Sequence, residues 1–286
     1  MLLITGATGQ LGSAVVNQLI ARQAQGFAIF ARDAAKAQRY TDQGIAIRQG
    51  DFDQPDTLAD AFAGVQKLLL ISSRSMDRAT QQKKVVDAAV QAGVQHIVYT
   101  SLAVQDITTS HVRDLMQSHF DTEDHIRASG VAYTFLRNTM YGDALPEIIG
   151  PQWAQNGIQL PGGNGKVPYA LRRELGEATA NLLLQDGHAM QTYDITGNQA
   201  YSYADVAAAL SAITGQSLPY QDIPAEAFAQ QLQSIGLPDF LVYLTAGTVR
   251  DVKEHQYEVQ SNMLQTLLGR APADLPSMLR EVFQLR

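Results

Sequence analysis

Along the first half of the chain, short apolar runs alternate with longer stretches whose apolar positions recur at helical spacing. The runs at 2–4, 27–31, 45–50, 67–73, 96–101 and 133–137 are of strand length and bounded by turn residues. Between them, Leu11, Val15, Val16, Leu19 and Ile20 share one helix face, and further helices are expected over 34–43, 55–63, 77–92 and 109–129. In the 77–92 helix the inward set is Val85, Val86, Ala89 and Val90. The 67–73 run is almost continuously apolar up to Ser72 and Ser73, as in strands buried on both faces. Strand and helix alternating at this rhythm imply right-handed crossovers and a doubly wound parallel sheet, an α/β fold.

Beyond about residue 150 the alternation fades. A turn-rich loop at 161–165 is followed by a helix over 172–185 and a strand at 192–195 that returns to the sheet. Helices over 202–213 and 225–234, and a longer one through Phe240 and Val252, complete the chain. The expected organisation is a nucleotide-binding domain over 1–150, with sheet return around 172–197. A smaller α+β lobe over 151–286 covers the substrate and does not fold alone. Internal repeats and low-complexity segments are absent from the sequence.

Candidate chemistry begins at the first strand's end. Gly6-Ala7-Thr8-Gly9-Gln10-Leu11-Gly12 places three glycines three apart between a strand and a helix. Gly6 lets the chain turn, Gly9 lets backbone approach a pyrophosphate, and Gly12 lets the helix lie close on the sheet. The helix N-terminus offers unpaired N–H groups and the positive end of its dipole to phosphate. Strand, glycine loop and helix in this order are the context a dinucleotide fingerprint requires, so the fold is Rossmann-type.

Downstream positions refine the cofactor. In NAD-binding folds an acidic side chain about 20 residues past the last glycine holds the ribose hydroxyls. Arg32 stands at that place here, and its guanidinium suits a 2′-phosphate. NADPH is therefore the expected donor, with NADH left open. A plain surface arginine is the alternative for Arg32. Asp33 reads as the cap of the next helix. Asp51 and Phe52 follow the third strand, either beside an adenine or as loop cap and core packing. Ser72, Ser73 and Arg74 follow the fourth strand and border the crevice where open α/β sheets bind ligands.

Composition narrows the class. The chain has 286 residues, 45% of them hydrophobic, enough for a large core. A net charge of −7 argues against nucleic-acid binding, because no basic stripe exists to neutralise phosphates. Without cysteine there are no disulfides, thiolate metal sites or thiol nucleophiles. The six histidines form no metal-ligand spacing, and no metal is expected. Met1 runs directly into the first strand and no apolar run reaches the ~20 residues of a membrane span. The expectation is a soluble cytoplasmic protein without membrane partners; its assembly is left open, a homodimer being one form.

The acid–base pair of classical short-chain dehydrogenases is a tyrosine with lysine four residues on. None of the 11 tyrosines has it, and no lysine lies between Lys84 and Lys166. That argues against alcohol dehydrogenation and sugar epimerisation, which need proton transfer at a carbon-bound hydroxyl. The same helix offers His119 and Glu123 instead, one turn apart. Two readings stand: a pair oriented in the crevice, or a helix-capping or solvated ion pair. His96, at the start of its strand, reads as a surface or structural residue rather than a ligand.

The glycine loop, the Ala31-Arg32-Asp33 turn, the 68–73 run and the stretch from Ser129-Gly130 through 133–138 together resemble the NmrA-like atypical short-chain reductases. Ser234-Ile235-Gly236-Leu237-Pro238-Asp239 extends the likeness into the C-terminal lobe. The chain is similar throughout to the bacterial NAD(P)H:quinone oxidoreductases and triphenylmethane reductases of that group. The resemblance implies NADPH binding and reduction of a small-molecule acceptor such as a quinone. It also implies a lysine after the Thr122-Glu123 pair, where this chain has Asp124.

A quinone accepts hydride at an electron-poor conjugated system and needs no dedicated proton donor, which fits the missing pair. Asn138, Met140 and Tyr141 after the sixth strand, with Thr100 and Ser101 after the fifth, are the candidate pocket; local packing and turn formation are the alternative for each. The rival from another class is a non-catalytic NADP-sensing regulator, which would lack the same pair. A nucleotide-sugar epimerase ranks last.

Overall fold

The computed structural model describes residues 1–73 and 75–286. They divide into two compact units. The first comprises Met1–Leu102, Gln117–Asn138 and Arg172–Tyr193; the second comprises Ala103–Met116, Thr139–Leu171 and Asp194–Arg286.

The sheet contains β1 (Leu2–Ile4), β2 (Phe27–Ala31), β3 (Ala46–Gln49), β4 (Lys67–Leu70), β5 (His96–Leu102), β6 (Ala132–Asn138) and β7 (Gln191–Ile195). Their order is β3-β2-β1-β4-β5-β6-β7. The pairs from β3 to β6 run parallel. Strand order reverses between β1 and β4, the switch point beside which such sheets bind ligands. This is the Rossmann-type α/β architecture the alternation predicts.

Helices α1 (Gln10–Ala21), α2 (Ala34–Thr41), α3 (Leu58–Phe62), α4 (Arg78–Gln91), α5 (Arg113–Ala128) and α6 (Arg172–Leu183) connect the strands. Strand positions alternate between two buried faces, as the two-residue period demands. Leu3, Ala28, Phe30, Leu68, Leu70, Ile97, Tyr99 and Phe135 pack with Leu58, Phe62, Val85, Val86, Ala89 and Ile126 of α3, α4 and α5. Ile4, Ile29, Leu69, Val98 and Leu136 are equally buried on the other side.

Two boundaries and one helix face differ from the sequence expectation. The 55–63 stretch opens as a 3₁₀ turn, Pro55–Thr57, before α3. The 109–129 helix begins only at Arg113, after a separate 3₁₀ turn, Ile107–Thr109. Here buried Asp251 accepts the Ser110 hydroxyl at 2.5 Å and the His111 amide at 2.7 Å, holding that step out of helical path. Val90 is 36% exposed, and the inward face of α4 runs instead through Gln82, Val85, Val86 and Ala89.

The second unit holds the expected helices Tyr203–Thr214, Ala225–Ser234 and Asp239–Lys253. Ser202 and Asp205 form a reciprocal capping box at the first of these. Four helices went unforeseen: Leu145–Ile149, Trp153–Asn156, Met263–Leu268 and Leu275–Val282. So did two strand pairs, Ile158–Gln159 with Tyr220–Gln221 and Lys166–Val167 with Tyr201–Ser202. No helix among the described residues is long and apolar enough to cross a membrane.

Candidate nucleotide site

The first unit builds its crevice at the C-terminal ends of the strands. Thr5, fully buried after β1, donates its hydroxyl to the Leu69 carbonyl (3.1 Å) and accepts the Ile71 amide (2.9 Å). One side chain thus joins the ends of β1 and β4 at the switch point. Gly6 follows with φ +62, and its carbonyl accepts the Gly9 amide at 2.9 Å. A Cβ on Gly12 would lie 2.1 Å from the Gly6 oxygen, so only glycine lets α1 start this close to the loop. No side chain caps α1 and no acidic residue occupies its first turn, which leaves the positive dipole end for an anion. Thr8, Gly9 and Gln10 are exposed there, and Leu11 is buried beneath them.

Tyr40, fully buried on α2, donates its hydroxyl to the Ala7 carbonyl at 2.9 Å and anchors the loop from the other side. Nothing in its local sequence announces this contact across the fold. Arg32 is exposed at the end of β2, and its guanidinium makes no ion pair among the described residues. Asp33 caps α2 by accepting the Ala35 amide at 2.9 Å.

After β3, one Asp51 oxygen accepts the Asp53 amide (3.1 Å) and the Phe52 ring stacks on Phe30 with centroids 5.2 Å apart. Asp51 thus caps its own loop and Phe52 packs on the edge of the core, contacts compatible with either reading of the two residues. After β4, the Ser72 amide donates to Thr100 Oγ1 (3.0 Å), so Thr100 ties β4 to β5. The Ser73 hydroxyl donates to Gln81 Oε1 (3.2 Å). Arg74, read as a further crevice residue, lies outside the described residues.

Asn138 ends β6 beside Leu102, one position past the pairing of Ser101 with Arg137. It is 3% exposed, and neither its amide oxygen nor its nitrogen has a hydrogen-bond partner; the Ser101 hydroxyl is likewise buried and unpartnered. An unpaired buried polar group costs about 1–3 kcal/mol, so this amide can take up a water or a complementary ligand group. Tyr141 belongs to the second unit, where it bridges to Ala170. Among the described residues no group of three metal-ligating side chains occurs.

His119 and Glu123 are each bonded to other partners. Glu123, fully buried, receives Arg137 through two hydrogen bonds (2.9 and 2.6 Å) and Arg127 at 3.1 Å. Helical spacing found the pair on one helix but not the partner arriving from β6. His119 Nδ1 lies 3.2 Å from the Tyr99 hydroxyl. Burial, then the Arg78 cation, pushes the His119 imidazole down to about 3. Burial raises the Tyr99 phenol to about 12, so it stays protonated beside a neutral ring. His96 is structural, as expected: its Nε2 lies 2.8 Å from Thr134 Oγ1, and burial, Lys67 and His188 lower it to about 4.

These shifts set an acid dependence. Below about pH 6.5 the unfolded chain protonates both histidines while the fold keeps them neutral, so stability falls as pH drops towards their folded values. His119 alone contributes a slope of about 1.4 kcal/mol per pH unit. Urea titrations at about pH 7 and pH 5 are expected to show wild type losing about 2 kcal/mol more than His119→Gln. Equal losses would mean that His119 is not held neutral.

Residues 1–264 match the model of the NmrA-like family. The chain belongs to this family. Within the NmrA-like family it is 34% identical to quinone oxidoreductase 2 of Escherichia coli (strain K12) over 288 residues, covering 100% of this chain and 99% of that protein. An NADPH-dependent quinone oxidoreductase of E. coli, solved in complex with NADPH, superposes with a TM-score of 0.91 at 34% identity, covering 99% of this chain and 100% of the other. A triphenylmethane reductase of Citrobacter sp. superposes at 0.92 with 33% identity, covering 99% of each chain.

Proposed function

We propose that this NmrA-like protein is an NADPH-dependent oxidoreductase that transfers a hydride to a quinone or a similar conjugated acceptor. The observation that carries the reading is Asn138, a buried amide with both its donor and its acceptor unused at the C-terminal end of β6. A nicotinamide carboxamide, or the oxygen of an acceptor lying on the ring, supplies what that amide lacks. The glycine cradle fits a pyrophosphate, because a Cβ at Gly12 would fill the close approach on which it depends. Full-length likeness to a protein named as a quinone oxidoreductase supports the acceptor class.

Bound NADPH would supply the hydride. The loop from Gly6 to Gly12 holds the phosphates, Arg32 the 2′-phosphate, and Asn138 and the Ser101 hydroxyl orient the reacting rings. Thr100 keeps the ends of β4 and β5 in register. Asp51 and Phe52 border the adenine, and Tyr141 offers a flat surface to the acceptor. No tyrosine–lysine pair is needed, since the hydroquinone anion takes its proton from water. In this reading residues 1–150 carry the cofactor, and the 151–286 portion covers the acceptor without folding by itself.

Donor preference tests the reading. In Arg32→Asp, kcat/KM for NADPH in quinone reduction is expected to fall at least about tenfold, the loss of one charge-assisted phosphate contact. The value for NADH should stay level or rise. An unchanged NADPH preference would remove Arg32 from the site, and no NADPH oxidation in wild type would remove the reductase reading.

A further inference from the structure

One side chain joins two crevice loops that are far apart in sequence. Gln81, on the first turns of α4 and 9% exposed, donates from Nε2 to Asp53 Oδ1 at 2.7 Å. Its Oε1 accepts the Ser73 hydroxyl at 3.2 Å. Because a carboxylate only accepts, this pairing fixes which way the amide points. Asp53 belongs to the loop after β3, and its own amide is held by Asp51. Ser73 belongs to the loop after β4, where neighbouring Gln82 Oε1 accepts the Ser73 amide (3.4 Å). The Gln82 nitrogen donates to the Tyr99 hydroxyl (3.1 Å) and to Thr122 Oγ1 (2.9 Å). Gln82 therefore roots the post-β4 loop in the core, and Gln81 carries that hold across to the post-β3 loop.

We propose that Gln81 is a positioning residue for the cofactor: it braces the loop after β3 against the loop after β4 and so sets NADPH affinity rather than the rate of the hydride step. The inference rests on the proposed NADPH site. A brace that shapes the crevice acts equally on ground state and transition state, which moves KM and leaves kcat.

The test exploits the polarity of the bond. In Gln81→Glu a carboxylate faces Asp53 and the link breaks, whereas Asp53→Asn leaves an acceptor oxygen for Gln81. The double variant again sets a donor amide against a carboxylate, with the roles of the two positions exchanged. NADPH affinity, measured by fluorescence titration, is expected to weaken about tenfold in Gln81→Glu, stay within about twofold in Asp53→Asn, and return in the double variant. KM for NADPH should follow the same pattern with kcat unchanged. Amide hydrogen exchange without cofactor is expected to quicken about tenfold at 51–53 and Ser73 in Gln81→Glu, and to recover in the double variant. A Gln81→Glu protein that binds NADPH as wild type does, a double variant as weak as the single one, or a lowered kcat at constant KM would overturn the proposal. Were wild type itself not to bind NADPH, the functional reading would fail. The exchange pattern would then still decide the brace: unchanged exchange at those positions in Gln81→Glu overturns it.

Discussion

Gly12→Ala is expected to weaken NADPH binding about 100-fold, equivalent to about 2.7 kcal/mol. The new methyl would sit 2.1 Å from the Gly6 carbonyl oxygen and 2.6 Å from its carbon. Both contacts are with backbone, so no rotamer change relieves them. Either α1 retreats from the loop or the loop leaves the conformation held by Thr5 and Tyr40. Both responses spoil the cradle that points amides at a phosphate. Isothermal titration with NADPH reads the loss directly, and circular dichroism checks that the helices persist. Wild-type affinity in a folded Gly12→Ala protein would contradict the assigned role of this loop.

Glu123→Ala is expected to cost about 3 kcal/mol of folding stability, the lower end of what breaking a buried ion pair costs. The carboxylate is fully buried and receives both Arg127 and Arg137, whose own side chains are 38% and 28% exposed. Partial hydration of the two arginines after the substitution keeps the loss from being larger. The arginines also lie against rings, Arg127 over Phe135 at 4.7 Å and Arg137 over Phe120 at 5.2 Å, so they remain in place with their carboxylate gone. Urea unfolding measures the difference. A loss below about 1 kcal/mol would show that the pair behaves as a surface bridge.

The sequence patterns that proved readable are those in which local chemistry and global position coincide. Parallel strands buried on both faces are largely apolar, so β2 and β4 stand out most plainly. The glycine loop is legible because the spacing, the preceding strand and the following helix all lie within a dozen residues. The cap at Asp33 follows from its place just ahead of a helical stretch.

Contacts between distant segments were not legible. Thr5 reaches Leu69 and Tyr40 reaches Ala7, and neither residue's neighbours in sequence announce it. Apolar spacing did not mark Gln82, which is fully buried on the face of α4 that leaves Val90 36% exposed. Helical spacing placed His119 and Glu123 on one helix, but their partners, Tyr99 on β5 and Arg137 on β6, come from the sheet. The elements missed after residue 139 are two to eight residues long, shorter than periodicity can resolve.

The central claim is hydride transfer from NADPH held by the first unit, and multiple-turnover oxidation of NADPH tests it most directly. Protein is mixed with NADPH in molar excess and a small naphthoquinone, and the absorbance of the reduced nicotinamide is followed against a protein-free control. The account predicts steady oxidation over many turnovers per protein molecule, slowed when Asn138 is replaced by leucine. Tight NADPH binding with no oxidation above the control, across a panel of benzoquinones and naphthoquinones, would contradict it and point to a nucleotide-sensing role.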